Sequence, residues 1–301
     1  MRAATLASLE AAGREAADVE RVVRQALAED VGGDGEDLTS VATIPAGSRS
    51  LGDFVVRGAG VIAGLPVLAA TLELGIGDDV EYELIAQDGD LVARGTVVAT
   101  VAGPTRALLQ TERVALNLLC RLSGIATATH AWVEQLAGTN ARVRDTRKTT
   151  PGLRQLEKYA VRCGGGVNHR TGLHDAVLVK DNHVLAAGGV GAALAAVHAH
   201  LGDRQVVVQT EIDRLDQLDE ALDHGATQIL LDNMSLDELR EAVARTRARA
   251  PGVLLEASGG LTLEVAREVG ETGVDLIAVG AITHSAGILD IALDLRTPQM
   301  P

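Results

Sequence analysis

Aromatic side chains are nearly missing from this sequence: one Trp, two Tyr and one Phe in 301 residues. That leaves no interleaved platform for stacking single-stranded nucleic acid. Cysteine is just as sparse. Cys120 and Cys163 form no CxxC pair, so no disulfide framework is expected, and free thiols fit a reducing compartment. No apolar run approaches the length of a membrane span, so no membrane partner is expected. The first twenty residues carry acids and no apolar stretch of signal-peptide length, so no secretion leader is expected and the cytoplasm is the expected location. HExxH is absent, and His169 and His174 stand five apart, which argues against a metal hydrolase. Positive charge is also short. A net charge of −14 is poor for gripping a nucleic-acid backbone, so no nucleic-acid partner is expected.

What is present is aliphatic. Hydrophobic residues make up 47% of the chain, and Ala, Val, Leu and Ile must supply the core. β-Branched aliphatics suit buried parallel strands. The length allows a barrel-sized domain with a partner domain. Residues 16–29 read as an amphipathic helix with Val19, Val22, Val23 and Leu27 on one face. An acidic glycine loop follows, EDVGGDGEDLTS. It resembles a calcium loop, but the twelfth position from Asp30 is Val41 rather than Glu, so the EF-hand reading fails. Residues 51–103 read as strands and turns, punctuated by glycines and by Asp88-Gly89. Thr105 to Leu122 reads as a helix.

After residue 140 the rhythm changes. Short β-rich segments at 141–147, 175–181, 205–211, 227–233, 253–258 and 275–280 alternate with helical ones. Strand–helix alternation implies a parallel sheet with right-handed crossovers. A closed or partly closed barrel and a doubly wound sheet both satisfy it. The polar residues favour the barrel. Each segment ends on one or more: Arg147 and Lys148, Lys180 and Asp181, Glu211, Asp232 and Asn233, Ser258, and the turn at Gly280. Strand C-terminal ends converge on the functional face of a βα barrel. One acid after a strand is ordinarily a helix cap, but six strands ending this way exceed what capping explains.

Between Arg142 and Lys180 nine bases outnumber Asp145, Glu157 and Asp175. A solvated charged face is the bland explanation of a basic run. The interleaved Gly, Pro, Thr and His weigh against it, and the stretch from Asp145 to Arg170 reads as a surface for a polyanionic small molecule. Arginine offers a planar fork to carboxylate or phosphate, and lysine a point charge. Glu211 and Asp232 supply acids opposite, suited to a magnesium–phosphate ligand or ribose hydroxyls. The glycine turns ASGGL (257–261) and AVGAITHS (278–285) open the last two units, a place for backbone N–H groups to hold phosphate.

These motifs carry a resemblance. DTRKTTPGLRQLEKYAVRCGGGVNHR (145–170), VLVKDNH (177–183), TERVALNLLCRLSGIAT (111–127), ILLDN (229–233), EASGGL (256–261) and AVGAITHS resemble the quinolinate phosphoribosyltransferase family, and with the EDLTS element near residue 36 they cover most of the chain. The resemblance implies an N-terminal α/β sandwich at 1–116, to which 285–301 returns, and an incomplete parallel α/β barrel at 117–284. It implies the decarboxylating joining of quinolinate to phosphoribosyl pyrophosphate, with Mg2+, in NAD biosynthesis. Arg147, His169 and Arg170 would hold the two carboxylates. Lys148 and Lys180 would meet the pyrophosphate or a carboxylate. Glu211 and Asp232 would bind ribose hydroxyls and the metal, and Lys148, Lys180, Glu211 and Asp232 would be the catalytic set. Ser258, Gly259, Gly280 and His284 would hold the 5-phosphate, with Thr146, Gly260 and Ala281 completing the ligand contacts. Arg113 would reach into the neighbouring subunit's site of a homodimer. Two departures stand out. Gln209 replaces the first of two acids expected on its strand, pointing away or making a neutral contact, and the acidic loop is longer than usual.

Three rivals remain at this level. A sister phosphoribosyltransferase would take nicotinate, or be the related protein found with molybdate transport genes; the RKTTPGLR and NHR motifs favour two carboxylates instead. A Schiff-base aldolase would use Lys180, but that lysine sits among acids and bases rather than in an apolar pocket. A phosphate-ligand sensor would bind without turnover.

Overall fold

The computed structural model describes residues 1–32 and 35–296. The acidic loop is therefore described only in part, because Gly33 and Asp34 lie outside the described residues. The chain opens with α1 (Ala3–Ala11), α2 (Ala16–Val31), α3 (Leu38–Thr43), β1 (Arg49–Val56), β2 (Gly60–Val61), α4 (Leu65–Ile76), β3 (Glu81–Leu84), β4 (Leu91–Val92) and β5 (Val97–Pro104). It continues with α5 (Thr105–Gln135), β6 (Arg142–Arg144), α6 (Arg154–Cys163), β7 (Ala176–Val179), α7 (Asp181–Ala187), α8 (Val190–Leu201), β8 (Val207–Ile212) and α9 (Leu215–Asp223). It closes with β9 (Gln228–Asp232), α10 (Leu236–Arg249), β10 (Leu254–Ser258), α11 (Ala266–Gly270), β11 (Leu276–Ala278), α12 (Ala281–His284) and β12 (Ile291–Arg296). No single helix among the described residues is long and apolar enough to cross a membrane.

The chain forms two compact units. The first comprises residues 1–130, 149–165 and 285–301. Its antiparallel sheet has the order β12-β1-β5-β3. Strand β1 alternates, so Phe54 and Val56 point into an aliphatic core with Leu68, Leu72, Val98, Val101, Leu116 and Ile291. Phe54 is the one phenylalanine, and Leu and Val fill the rest.

Two elements here differ from the sequence reading. Residues 65–76, read among strands and turns, form α4. Pro66 suits a first helical turn, and the Asp88 carboxylate accepts the Gly64 and Leu65 backbone N–H groups at 2.9 and 3.0 Å. Nine consecutive residues of α4 are buried, so no amphipathic period marks it. Helix α5 runs on to Gln135, well past Leu122. A Cβ at Gly124 would lie 2.0 Å from the Gly287 carbonyl oxygen. The glycine permits a close backbone approach inside a continuous helix.

The second unit comprises residues 131–148 and 166–284. All six segments expected as strands contribute to one parallel sheet, in the order β6-β11-β10-β9-β8-β7. Every strand from β7 to β11 lies beside its successor, and β6 follows β11. Winding in one direction, with the opening between β6 and β7, is the topology of an incomplete barrel; a doubly wound sheet reverses near its middle. Helix α10 carries a capping box: the Ser235 hydroxyl accepts the Glu238 N–H at 3.3 Å, and the Ser235 N–H donates to the Glu238 carboxylate at 2.8 Å. At the opposite end of the strands Asp275 accepts Arg247 and the Leu255 N–H.

Candidate active site

Strand side chains alternate, so residues two apart share a face. At the C-terminal ends of the six strands this pairs Arg144 with Thr146, Leu178 with Lys180, Gln209 with Glu211, Leu230 with Asp232, Glu256 with Ser258, and Ala278 with Gly280. The outer members of these pairs all line one cavity of about 810 Å³. Of the residues expected at the site, Thr146, Arg147, Lys148, His169, Arg170, Lys180, Glu211, Asp232, Ser258, Gly259, Gly260, Gly280, Ala281 and His284 line it. Arg113 does not; it is exposed on α5 in the first unit. Gln209 is buried and outside the lining.

The site carries both bases and acids. Lys180 donates from Nζ to the Glu211 carboxylate at 2.5 Å. Arg170 donates from Nη1 to the Ala176 carbonyl at 2.8 Å, while its buried Nε has no hydrogen-bond partner. Burial, and then the charge of Arg147, lower the Arg170 pKa. A guanidinium keeps its proton regardless, so two cations stand close together here, an arrangement that favours an anionic ligand. The buried Asp145 shapes the floor beneath them: it accepts the His169 backbone N–H at 2.7 Å and the Asn168 amide at 2.6 Å. The Lys148 backbone is held at both groups: its N–H donates to Thr146 Oγ1 at 3.0 Å, and its carbonyl accepts the Thr283 hydroxyl at 2.8 Å.

The glycine turn after β10 is constrained by close approach. Gly259 has φ +104°, and a Cβ there would sit 2.2 Å from Asn233 Oδ1. Asn233, itself at φ 55°, donates its N–H to the Ser258 carbonyl at 2.9 Å and its amide to Asp232 at 2.6 Å. Asp232 is thus oriented by its neighbour in sequence.

The basic run divides. Arg154, Lys158 and Arg162 lie on α6, in the first unit, and none lines the cavity. Lys158 is 1% exposed, Arg154 donates to Thr149 Oγ1, and Arg162 donates to the Ala12 carbonyl. The expected polyanion surface therefore narrows to the two ends of the 145–170 stretch.

Sequence reading missed Glu256 along with the apolar lining of Leu178, Leu230, Leu261, Ala278 and Val279, and named Asn233 at a strand end without giving it a role. Glu256 had a signal: it is the acid inside an otherwise aliphatic strand, two positions before Ser258. Burial raises its carboxyl pKa, and Arg144, at 2.7 Å, opposes the rise.

An incomplete α/β barrel with cations, acids and glycine turns on one strand-end face is the architecture of a site for a polyanionic, phosphate-bearing ligand. Comparison with known proteins narrows this. The quinolinate phosphoribosyl transferase N-terminal domain matches residues 37–123, and the C-terminal domain of the same family matches residues 125–294. The chain belongs to the quinolinate phosphoribosyltransferase family. It is 50% identical over 275 residues to the carboxylating nicotinate-nucleotide pyrophosphorylase of Mycobacterium leprae (strain TN), covering 91% of this chain and 95% of that one. It is 40% identical over 297 residues to the mitochondrial decarboxylating quinolinate phosphoribosyltransferase 2b of Nicotiana tabacum, covering 93% and 83%. Among solved structures, the nicotinate-nucleotide pyrophosphorylase of Ehrlichia chaffeensis superposes with TM-score 0.86 at 34% identity, covering 92% and 98%.

Proposed function

We propose that this protein transfers the phosphoribosyl group of phosphoribosyl pyrophosphate to quinolinate with decarboxylation, giving nicotinate mononucleotide, pyrophosphate and CO2, a step of de novo NAD biosynthesis. The observation that supports it most is the single cavity in which Arg147, Lys148, His169, Arg170 and Lys180 face Glu211, Asp232 and the glycine turns. Arg147, His169 and Arg170 hold the two carboxylates and aim the pyridine nitrogen at the anomeric carbon. Ser258, Gly259, Gly260, Gly280, Ala281 and His284 hold the 5-phosphate, and Thr146 completes the floor. The nitrogen–carbon bond forms as the bond to pyrophosphate breaks, and pyrophosphate leaves with the electron pair. Lys148 and Lys180 stabilise that leaving charge, the largest electrostatic demand of the step. The quaternised nitrogen then lets the adjacent carbon–carboxylate bond break. CO2 departs, the electrons stay on the ring carbon beside the positive nitrogen, and a solvent proton replaces the carboxylate.

The residues present fit magnesium. Glu211 and Asp232 offer hard oxygen donors, and no group of three or more His, Cys, Asp and Glu among the described residues forms a protein-only cage. Magnesium of this kind is held partly by water and by phosphate oxygens, and when bound it neutralises charge on the pyrophosphate. Quinolinate and phosphoribosyl pyrophosphate are the partners in a cytoplasmic homodimer, with Arg113 completing the neighbouring subunit's site. The 1–116 sandwich and 117–284 barrel divide the chain by role, the barrel carrying the cavity.

Incubation with quinolinate, phosphoribosyl pyrophosphate and Mg2+ tests the reading. Pyrophosphate and CO2 should appear in equal amounts. Pyrophosphate release from nicotinate in place of quinolinate would sink it.

A further inference from the structure

Glu256 is the charged residue of the cavity to which the proposed reaction assigns no part. It stands on β10, lines the cavity and is 1% exposed. Its Oε2 accepts Arg144 Nη1 at 2.7 Å. Its Oε1 has no hydrogen-bond partner and lies 3.9 Å from His169 Nε2. Leaving a buried acceptor unsatisfied is costly, and more so when it is charged. Such an atom beside a ligand cavity calls for a reason.

His169 supplies one. Its Nδ1 accepts the Arg170 backbone N–H at 2.7 Å. The proton of the neutral ring is therefore on Nε2, the nitrogen near the unpartnered Glu256 oxygen. A carboxylate beside one imidazole nitrogen fixes both tautomer and ring plane. The other nitrogen here is tied to the backbone of Arg170, so what fixes the ring also fixes the register of the next residue. Arg144 answers the remaining half of the carboxylate and cancels its charge, so the floor does not repel an incoming dianion. The other groups around Glu256 are the Gln209 amide, near enough to favour the ionised form though neither of its amide atoms makes a hydrogen bond of good geometry, and the Asp145 carboxylate, which opposes it.

We propose that Glu256 is a positioning residue for the dicarboxylate half of the site: it holds His169 as the Nε2–H tautomer and, through Nδ1, keeps His169 and Arg170 in one register. This rests on the dicarboxylate role proposed above for that pair. Glu256 itself touches no reacting atom.

The test is Glu256→Gln in the full chain. Glutamine keeps the volume and an oxygen for Arg144, but its amide nitrogen then faces His169 donor against donor. Nitrogen-15 spectra of labelled protein without substrate should show His169 move from Nε2–H toward Nδ1–H. The quinolinate KM should rise about ten- to hundredfold, the worth of one hydrogen bond to a charged group. The phosphoribosyl pyrophosphate KM and kcat should stay near wild type. Glu256→Asp keeps the carboxylate and should keep the Nε2–H form; if the Gln variant fails to fold, loss of that form in the folded Asp variant would overturn the proposal. An unchanged tautomer in the folded Gln variant would overturn the proposal. So would an equal rise in both KM values with a lowered melting temperature, which marks a structural role only. Because the tautomer is read without substrate, it decides the Glu256 claim even if quinolinate proves not to be the substrate.

Discussion

Arg147, Lys148 and Arg170 carry the same charge as Arg154, Lys158 and Arg162, and all six lie in one basic run of the sequence. Arg147 and Lys148 follow β6 and Arg170 lies in the loop before β7, all in the second unit, and all three line the cavity. The other three sit on α6 in the first unit and are used for packing: Lys158 is buried, and Arg162 lies 5.5 Å over the Tyr159 ring. Between them the buried Glu157 pairs with Arg121 at 2.8 Å and accepts the Thr150 N–H at 3.1 Å. Charge density marks a region of interest, but the backbone element under each base decides what the charge does. A strand aims alternate side chains at one face, and the loops flanking the strands bring further bases to the cavity over it, while a helix distributes them around its axis and gives them to whatever packs there.

Substitutions on the two sides should therefore fail in different ways. The largest effect is expected from Lys148→Ala. Losing a cation at the leaving group should cut kcat/KM about 10²–10³-fold with little change in the urea midpoint; a variant with full turnover would remove this lysine from the account. Next comes Glu157→Ala, which leaves Arg121 without its buried partner. Unfolding by urea should show about 3 kcal/mol less stability, the low end for a broken buried pair because Arg121 is partly exposed. The smallest effect belongs to Asp175, in the turn after Arg170. Burial raises its pKa, but the Thr171 N–H, the Thr171 hydroxyl and the Gly172 N–H outweigh that and hold it well below the ordinary carboxylate range. A depressed carboxylate contributes stability that is complete above its unfolded pKa of about 3.9 and is lost as pH falls toward the folded value. Asp175 is exposed, so its share is small. Amide exchange of Thr171 and Gly172 should quicken only below about pH 4, and Asp175→Asn should abolish that acid dependence.

Much of the second unit was legible because its signals are local. Val and Ile runs ending in one polar residue gave six strands and their shared face. The elements that escaped depend on distant partners. Helix α4 is buried over nine consecutive residues and is capped by Asp88, more than twenty residues on. The continuity of α5 through Gly124 depends on Gly287. That α6 leaves the basic run for the first unit depends on Glu157 meeting Arg121 and on Tyr159 donating to Asp88 at 2.5 Å. Glu256 was hidden because an acid in a strand is read as the exposed member of an alternation, and nothing local says that Arg144 waits across the sheet.

The contrast between the cavity of the second unit and α6 comes down to one pair of arginines. Calorimetric titration of quinolinate onto Arg170→Ala and Arg162→Ala compares them on the same ligand without turnover. Arg170→Ala should lose roughly ten- to hundredfold in affinity, the worth of one charge-assisted contact, while Arg162→Ala binds like wild type. Equal losses in the two variants, or wild-type affinity in Arg170→Ala, would contradict the assignment of the dicarboxylate site to the cavity of the second unit.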